Sequence, residues 1–70
     1  MYSLYFKNAK GRRILVRDGI ATDDEVFSSI RDFIYSKNPN YKIYYFRSWG
    51  ENPVVYDVGS HSEFFYLYKD

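Results

Sequence analysis

The chain has 70 residues, enough for one domain with a single small core, and we expect that domain to span residues 1–70. It has no cysteine, which excludes disulfide bonds and thiolate metal sites. Its single histidine gives little basis for metal binding or for acid–base catalysis near neutral pH. Ten Lys and Arg against nine Asp and Glu give a net charge of +1, too small for the whole molecule to be drawn to nucleic acid or to an anionic membrane. We therefore expect no cofactor and no metal.

The first part of the chain predicts a β-hairpin. Apolar and aromatic residues occupy the even positions from 2 to 6, which is the period of two typical of a half-buried strand. Residues 8–11 form a turn with glycine in fourth place, and the chain returns through residues 12–17. In this second strand we expect Ile14 and Val16 to face the core. The odd positions are expected to face outward: Arg13, Leu15 and Arg17.

Residues 22–37 predict a helix. Thr22 and Glu25 form a capping box, in which each side chain bonds free backbone N–H groups at the start of the helix. Pro39 follows the last helical residues and disfavours further helix. The apolar residues within the helix fall on one stripe that must be buried: Val26, Phe27, Ile30, Phe33 and Ile34.

The remainder of the chain predicts three strands, at 41–49, 54–58 and 62–69, separated by turns at 50–53 and 59–61. Short connections between these strands imply antiparallel pairing. The predicted fold is α+β with the order ββαβββ, in which one helix packs on a twisted antiparallel sheet.

Aromatic residues occupy both faces of the predicted sheet, with nine Tyr, six Phe and one Trp in the chain. Alternation along 41–49 places Tyr44 and Phe46 on one face and Ile43, Tyr45 and Trp49 on the other. In the last strand it separates Phe64, Tyr66 and Tyr68 from Phe65 and Leu67. One helix covers one face only, so some rings should lie on an exposed face, and large aromatic patches often mark partner sites. The alternative is that tyrosine simply covers a pleated surface without any partner. The residues proposed for protein binding are Tyr44, Phe46, Tyr66 and Tyr68.

A second hypothesis is nucleic-acid binding by the first hairpin. Its cations could contact phosphates while exposed rings stack on bases. An RNA-recognition fold would need a second helix and a glycine-aromatic signature, and the sequence has neither. The basic residues of this hypothesis are Lys7, Lys10, Arg12, Arg13 and Arg17.

Catalysis has one candidate group, formed by Asp57, His61 and Glu63. Nearness in sequence does not make a catalytic geometry, and a short connection in a small chain offers little room for a substrate. The favoured interpretation is a turn in which Gly59 supplies the backbone freedom and the polar side chains bond nearby N–H groups. We therefore predict that the protein is not an enzyme.

Two stretches, residues 44–49 and 56–65, resemble small uncharacterised proteins of phages and prophages of Gram-positive bacteria. No activity is attached to that family, so the resemblance implies only a setting, that of an accessory factor that binds a host or phage protein. The expected partner of the tyrosine-rich face is a host or phage protein or a second copy of the chain. The first residues do not read as a signal peptide, and no run is apolar enough to span a bilayer. The expected location is the cytoplasm of the bacterial host, with no membrane partner.

Overall fold

The computed structural model describes residues 1–59 and 63–70, which form one helix and a five-stranded antiparallel sheet. The strand order is β2-β1-β5-β4-β3, so the first and last strands of the chain pair at the centre of the open sheet. This confirms the predicted α+β fold and its ββαβββ order. The elements are β1 (Tyr2–Lys7), β2 (Arg13–Ile20), α1 (Asp23–Lys37), β3 (Arg47–Trp49), β4 (Val54–Asp57) and β5 (Phe64–Lys69).

The helix begins at the predicted cap. The Thr22 hydroxyl oxygen accepts the backbone N–H of Glu25 at 3.3 Å. In return a Glu25 carboxylate oxygen accepts the Thr22 hydroxyl at 3.1 Å and the backbone N–H of Ala21 at 3.4 Å, one residue earlier than in the usual capping box. The helix ends where the Asn38 N–H bonds the carbonyl of Ile34 at 2.9 Å. These contacts confirm the predicted helix to within one residue.

One face of the sheet packs against α1 and forms the core with it. Leu4 in β1 and Ile30 in α1 are both 0% exposed. The predicted alternation in β1 is confirmed, because Leu4 and Phe6 are buried beneath the helix, Tyr2 packs partly buried against the same core, and Lys7 is exposed. The buried apolar residues are Leu4, Phe6, Ile20, Val26, Ile30, Tyr56, Val58, Phe65 and Leu67.

The strand predicted over 41–49 is wrong for most of its length, since only Arg47–Trp49 pair with β4. Residues 41–46 carry the chain from the end of the helix to the far edge of the sheet. They are held by other contacts: the Tyr41 hydroxyl lies 3.2 Å from the carbonyl oxygen of Val58 and 3.0 Å from that of Gly59. The aromatic alternation of this stretch therefore does not correspond to two faces of a sheet.

The outward orientation predicted for Arg17 is also wrong. Two irregularities in the β1–β2 register give β2 more residues than the part of β1 that it pairs with. They redirect the Arg17 guanidinium to the helix, where it donates to Glu25 at 2.9 Å and to the Ser29 hydroxyl at 3.2 Å.

Candidate functional site

The face of the sheet opposite α1, called here the open face, carries one row of side chains across all five strands. Tyr5 lies between Leu15 of β2 and Tyr66 of β5. Tyr66 in turn pairs with Val55 of β4, which pairs with Trp49 of β3. Because side chains alternate between faces and the neighbours of these residues in β1 and β5 are buried under the helix, all five point away from it. We call Leu15, Tyr5, Tyr66, Val55 and Trp49 the middle row.

The middle row is most exposed at its two ends. Leu15 is 49% exposed and Trp49 is 48% exposed, whereas the three central residues are half-buried by their neighbours. The Trp49 ring meets Phe64 nearly edge to face, with centroids 6.1 Å apart at 74°. The open face thus holds a continuous apolar and aromatic band.

A cation lies over the tyrosines at one end of this face. Tyr5 and Tyr68 pack edge to face, with ring centroids 5.7 Å apart at 83°. The guanidinium carbon of Arg13 lies 4.7 Å from the Tyr5 centroid and 5.7 Å from that of Tyr68, within the range of a cation–π interaction. Arg13 and Lys7 are directly opposite each other in the β1–β2 register.

These two cations border a shallow open depression of about 280 Å³. Both charged residues lining it are basic, so the depression has a positive potential that favours an anionic group. It combines parts of two separate predictions, because it brings two of the predicted protein-binding tyrosines beside two of the predicted phosphate-binding cations. The lining residues are Lys7, Gly11, Arg13, Tyr66 and Tyr68.

The other end of the open face carries a carboxylate. Ser3 pairs with Tyr68, and its hydroxyl donates to an Asp70 side-chain oxygen at 3.0 Å. Ser3 and Lys7 flank Tyr5 at equal distances along β1, about 7 Å on each side at the usual rise per residue. The open face therefore has a basic end and an acidic end, with the middle row between them.

The four residues predicted for protein binding do not share one face. Tyr66 and Tyr68 lie on the open face. Phe46 packs on the helix side, with its ring centroid 4.9 Å from that of Phe27 and 5.8 Å from that of Tyr56. Tyr44 is 81% exposed, in the segment outside the sheet. The placement of Phe46 is thus a correction to the predicted patch, and its physical cause is the non-strand path of residues 41–46.

Sequence reasoning did not single out four residues of the middle row, Leu15, Tyr5, Val55 and Trp49, nor Phe64 next to Trp49. The period-two pattern had placed Phe64 with Tyr66 and Tyr68, which the structure confirms, but it set Trp49 apart from the proposed patch. Trp49 aligns with Tyr66 only through the β3–β4 and β4–β5 registers. A register proposed for the hairpin around the turn at 50–53 would have placed Trp49 opposite Val55.

The five predicted phosphate-binding residues are also divided. Lys7 and Arg13 lie on the open face, and Arg17 is bonded to the helix. The turn holds the other two, Lys10 and Arg12, whose backbone N–H groups both donate to the Asn8 side-chain oxygen at 3.0 Å. The basic hairpin is therefore not one continuous cationic surface.

The candidate catalytic group contains a carboxylate with a structural partner. The Asp57 side chain is 3% exposed, and one of its oxygens accepts the Arg47 guanidinium at 2.6 Å and the Tyr45 hydroxyl at 3.4 Å. The hydrogen bond to Asp57 is the main cause that raises the pKa of Arg47. His61 lies outside the described residues. Within 1–59 and 63–70, no group of three or more His, Asp or Glu side chains has a geometry that could hold a metal ion.

No protein-family model matches the chain, and neither does any curated protein or solved structure compared with it. In the part of the chain that the structure describes, α1 is too short and too polar to cross a membrane, and no other helix is present there. The phage or prophage setting and the cytoplasmic location stay predictions from the sequence.

Proposed function

We propose that the protein is a non-catalytic binding module whose open face docks on another protein. The observation that carries this proposal is the middle row, which leaves tyrosine, tryptophan and leucine side chains on a face that the helix does not cover. Tyrosine, tryptophan and arginine are the residue types that contribute most to binding energy at protein interfaces.

The composition of the open face favours a protein partner over mere coverage of the sheet. A strand whose outer face only contacts solvent carries polar residues there, such as threonine, lysine or glutamate, as binary patterning requires. Here the outer positions of β5 are Phe64, Tyr66 and Tyr68, and the outermost strand adds Trp49 at nearly half exposure. Exposed aromatic patches of this kind are characteristic of recognition surfaces.

The chemistry of the open face defines what the partner must present. An apolar strip is needed against the middle row, and an anionic group is needed beside Lys7 and Arg13, which have no acidic residue among the groups lining their depression. The implied setting is that of a phage or prophage accessory factor acting inside its bacterial host. A protein surface with an apolar centre and an acidic rim fits both requirements.

A photo-cross-linking amino acid at position 66 tests the proposal. The substitute keeps an aromatic ring at Tyr66, and the matched control carries the same group at Arg31, an exposed position of α1. We expect protein adducts from position 66 and none from position 31 when the two variants are expressed in Gram-positive cells. Absence of protein adducts at 66, or equal adducts at both positions, would contradict the proposal.

Nucleic-acid binding is a second candidate, favoured by the placement of Lys7 and Arg13 beside Tyr66 and Tyr68. Only two of the five hairpin cations contribute to this surface, so the salt dependence of binding should be shallow. Fluorescence anisotropy with labelled single-stranded oligonucleotides at low salt measures it. Binding that Arg13→Ala reduces would support this candidate, and no binding at low salt would end it.

A further inference from the structure

We propose that the protein docked on the open face is a second copy of this chain, with the two sheets packed face to face about a two-fold axis along the middle row. The inference rests on the proposed function, since it names the partner of the same surface. Three features support it: the position of the middle row, the distribution of charge on either side of it, and the size of the chain.

The middle row meets the geometric condition for a symmetric interface. It crosses every strand at one level, so a rotation of 180° about a line along the row places each strand over its own counterpart. Tyr5 and Tyr66, the Cα partners at the centre of the sheet, then meet the same pair in the second copy. A two-fold interface requires a surface complementary to itself in this way, and two packed sheets interdigitate their inner side chains.

The charges on either side of the row are complementary under the same rotation. The axis reverses the strand direction, so the Lys7 end of one copy lies over the Ser3 end of the other. Ser3 holds the Asp70 carboxylate at that end by its hydroxyl. Lys7 of each copy therefore faces Asp70 of the second copy, and the contact occurs twice. Arg13 stands beside Lys7 and adds to the same attraction.

The other surfaces of the sheet are less suited to this contact. The helix covers the opposite face, and the strand at one edge, β3, has three residues. The strand at the other edge, β2, is distorted by register irregularities. A 70-residue chain buries a smaller fraction of its surface on folding than a larger domain does, and a face-to-face dimer would place the middle row in a second core.

Charge reversal separates this inference from other modes of association. Lys7→Glu places two acidic groups together at each end of the proposed dimer, and Asp70→Lys places two or more basic groups together. We expect each variant alone to raise the dimer dissociation constant at least about tenfold, because like charges are apposed in a contact. Sedimentation equilibrium over a range of concentrations gives the constants.

An equimolar mixture of the two variants is the decisive sample. In a heterodimer Glu at position 7 faces Lys at position 70, and the native Lys7 and Asp70 of the two chains face each other at the other end. We expect the mixture to associate more tightly than either variant alone and close to the wild type. Lys42→Glu, which makes the same charge change in the segment outside the sheet, should leave the wild-type constant unchanged.

The outcomes distinguish the inference from the proposed function. A wild-type chain that stays monomeric at all concentrations overturns the dimer, whereas adducts of position 66 with a foreign protein would still support a protein-binding face. A dimer that tolerates Lys7→Glu, Asp70→Lys and Tyr66→Ser uses another surface and overturns the inference too. Adducts of position 66 with nucleic acid alone would overturn both proposals. Circular dichroism of each variant confirms that it is folded.

Discussion

The two faces of the sheet use aromatic and aliphatic residues in different ways. On the covered face the side chains fit beneath α1 and exclude water, as Leu4 and Phe65 show. On the open face the rings pack against one another in edge-to-face pairs and keep one side toward solvent, as Tyr5 with Tyr68 and Trp49 with Phe64 do. A high aromatic content therefore serves stability on one side of this chain and is available for binding on the other.

A leucine-to-alanine substitution on each face tests this contrast with the largest expected effect. Leu4→Ala removes a side chain that is 0% exposed and leaves a cavity, so we expect the free energy of unfolding to fall by about 2–5 kcal/mol. Leu15→Ala removes a leucine of the open face that is 49% exposed, and we expect a change within about 0.5 kcal/mol when the chain is monomeric. Urea denaturation at low protein concentration measures both. Equal losses would mean that the open face is part of the folding core.

Loss of the helix cap weakens the cover of one face without touching the other. Thr22→Ala removes the oxygen that accepts the Glu25 N–H, and we expect a loss of about 1 kcal/mol in unfolding free energy. Thr22→Ser keeps the hydroxyl and serves as the matched control, with most of the stability retained. A cap variant as stable as the wild type would show that tertiary packing alone holds this end of the helix.

A central open-face tyrosine should matter little to folding and much to association. Tyr66→Ser removes cross-strand contacts with Tyr5 and Val55, a cost of about 0.2–1 kcal/mol in unfolding free energy. The same variant should lose the contact with the partner on the open face, so we expect its dimer dissociation constant to rise. Complete unfolding of Tyr66→Ser would assign this ring to the core and contradict the separation of roles.

The smallest effect concerns a tyrosine of the covered face at alkaline pH. Burial is the main cause that raises the pKa of Tyr56, and the nearby Asp23 adds to it. Above the ordinary tyrosine pKa near 10 the unfolded chain releases this proton while the folded chain retains it, so the stabilisation present at lower pH is lost as pH rises toward the folded-state value. We expect the unfolding free energy of the wild type to fall more steeply above that pH than that of Tyr56→Phe, in urea titrations across the range. Parallel profiles would contradict the assignment.

Local patterns in the sequence predicted the elements that depend on local physics. The capping box at Thr22 located the helix, and the period of two in β1 and β5 assigned their faces correctly. Glycine at position 11 was placed in a turn, and it adopts a positive φ of 82° there. These features depend on residues close in sequence, which is why one sequence suffices to find them.

The failures came where pairing between distant strands decides the outcome. Residues 41–46 are as aromatic as any strand, but Phe46 packs against Phe27 and Tyr56 on the helix side. Arg17 turns to Glu25 because the β1–β2 register is irregular. The alignment of Trp49 with Tyr66 needs two registers at once. Of the middle row, only Tyr66 was among the residues predicted for protein binding, and the shared level of the row was not predictable.

The distortion of β2 affects how this chain associates at high protein concentration. Extended backbones with free N–H and C=O groups can recruit further strands without limit, which is the route to fibres. Here the edge strand β2 is bent by its extra residues and carries arginine. The other edge strand, β3, is only three residues long. Growth by adding strands at either edge of the sheet is thereby disfavoured, so the proposed face-to-face contact would stop at two copies.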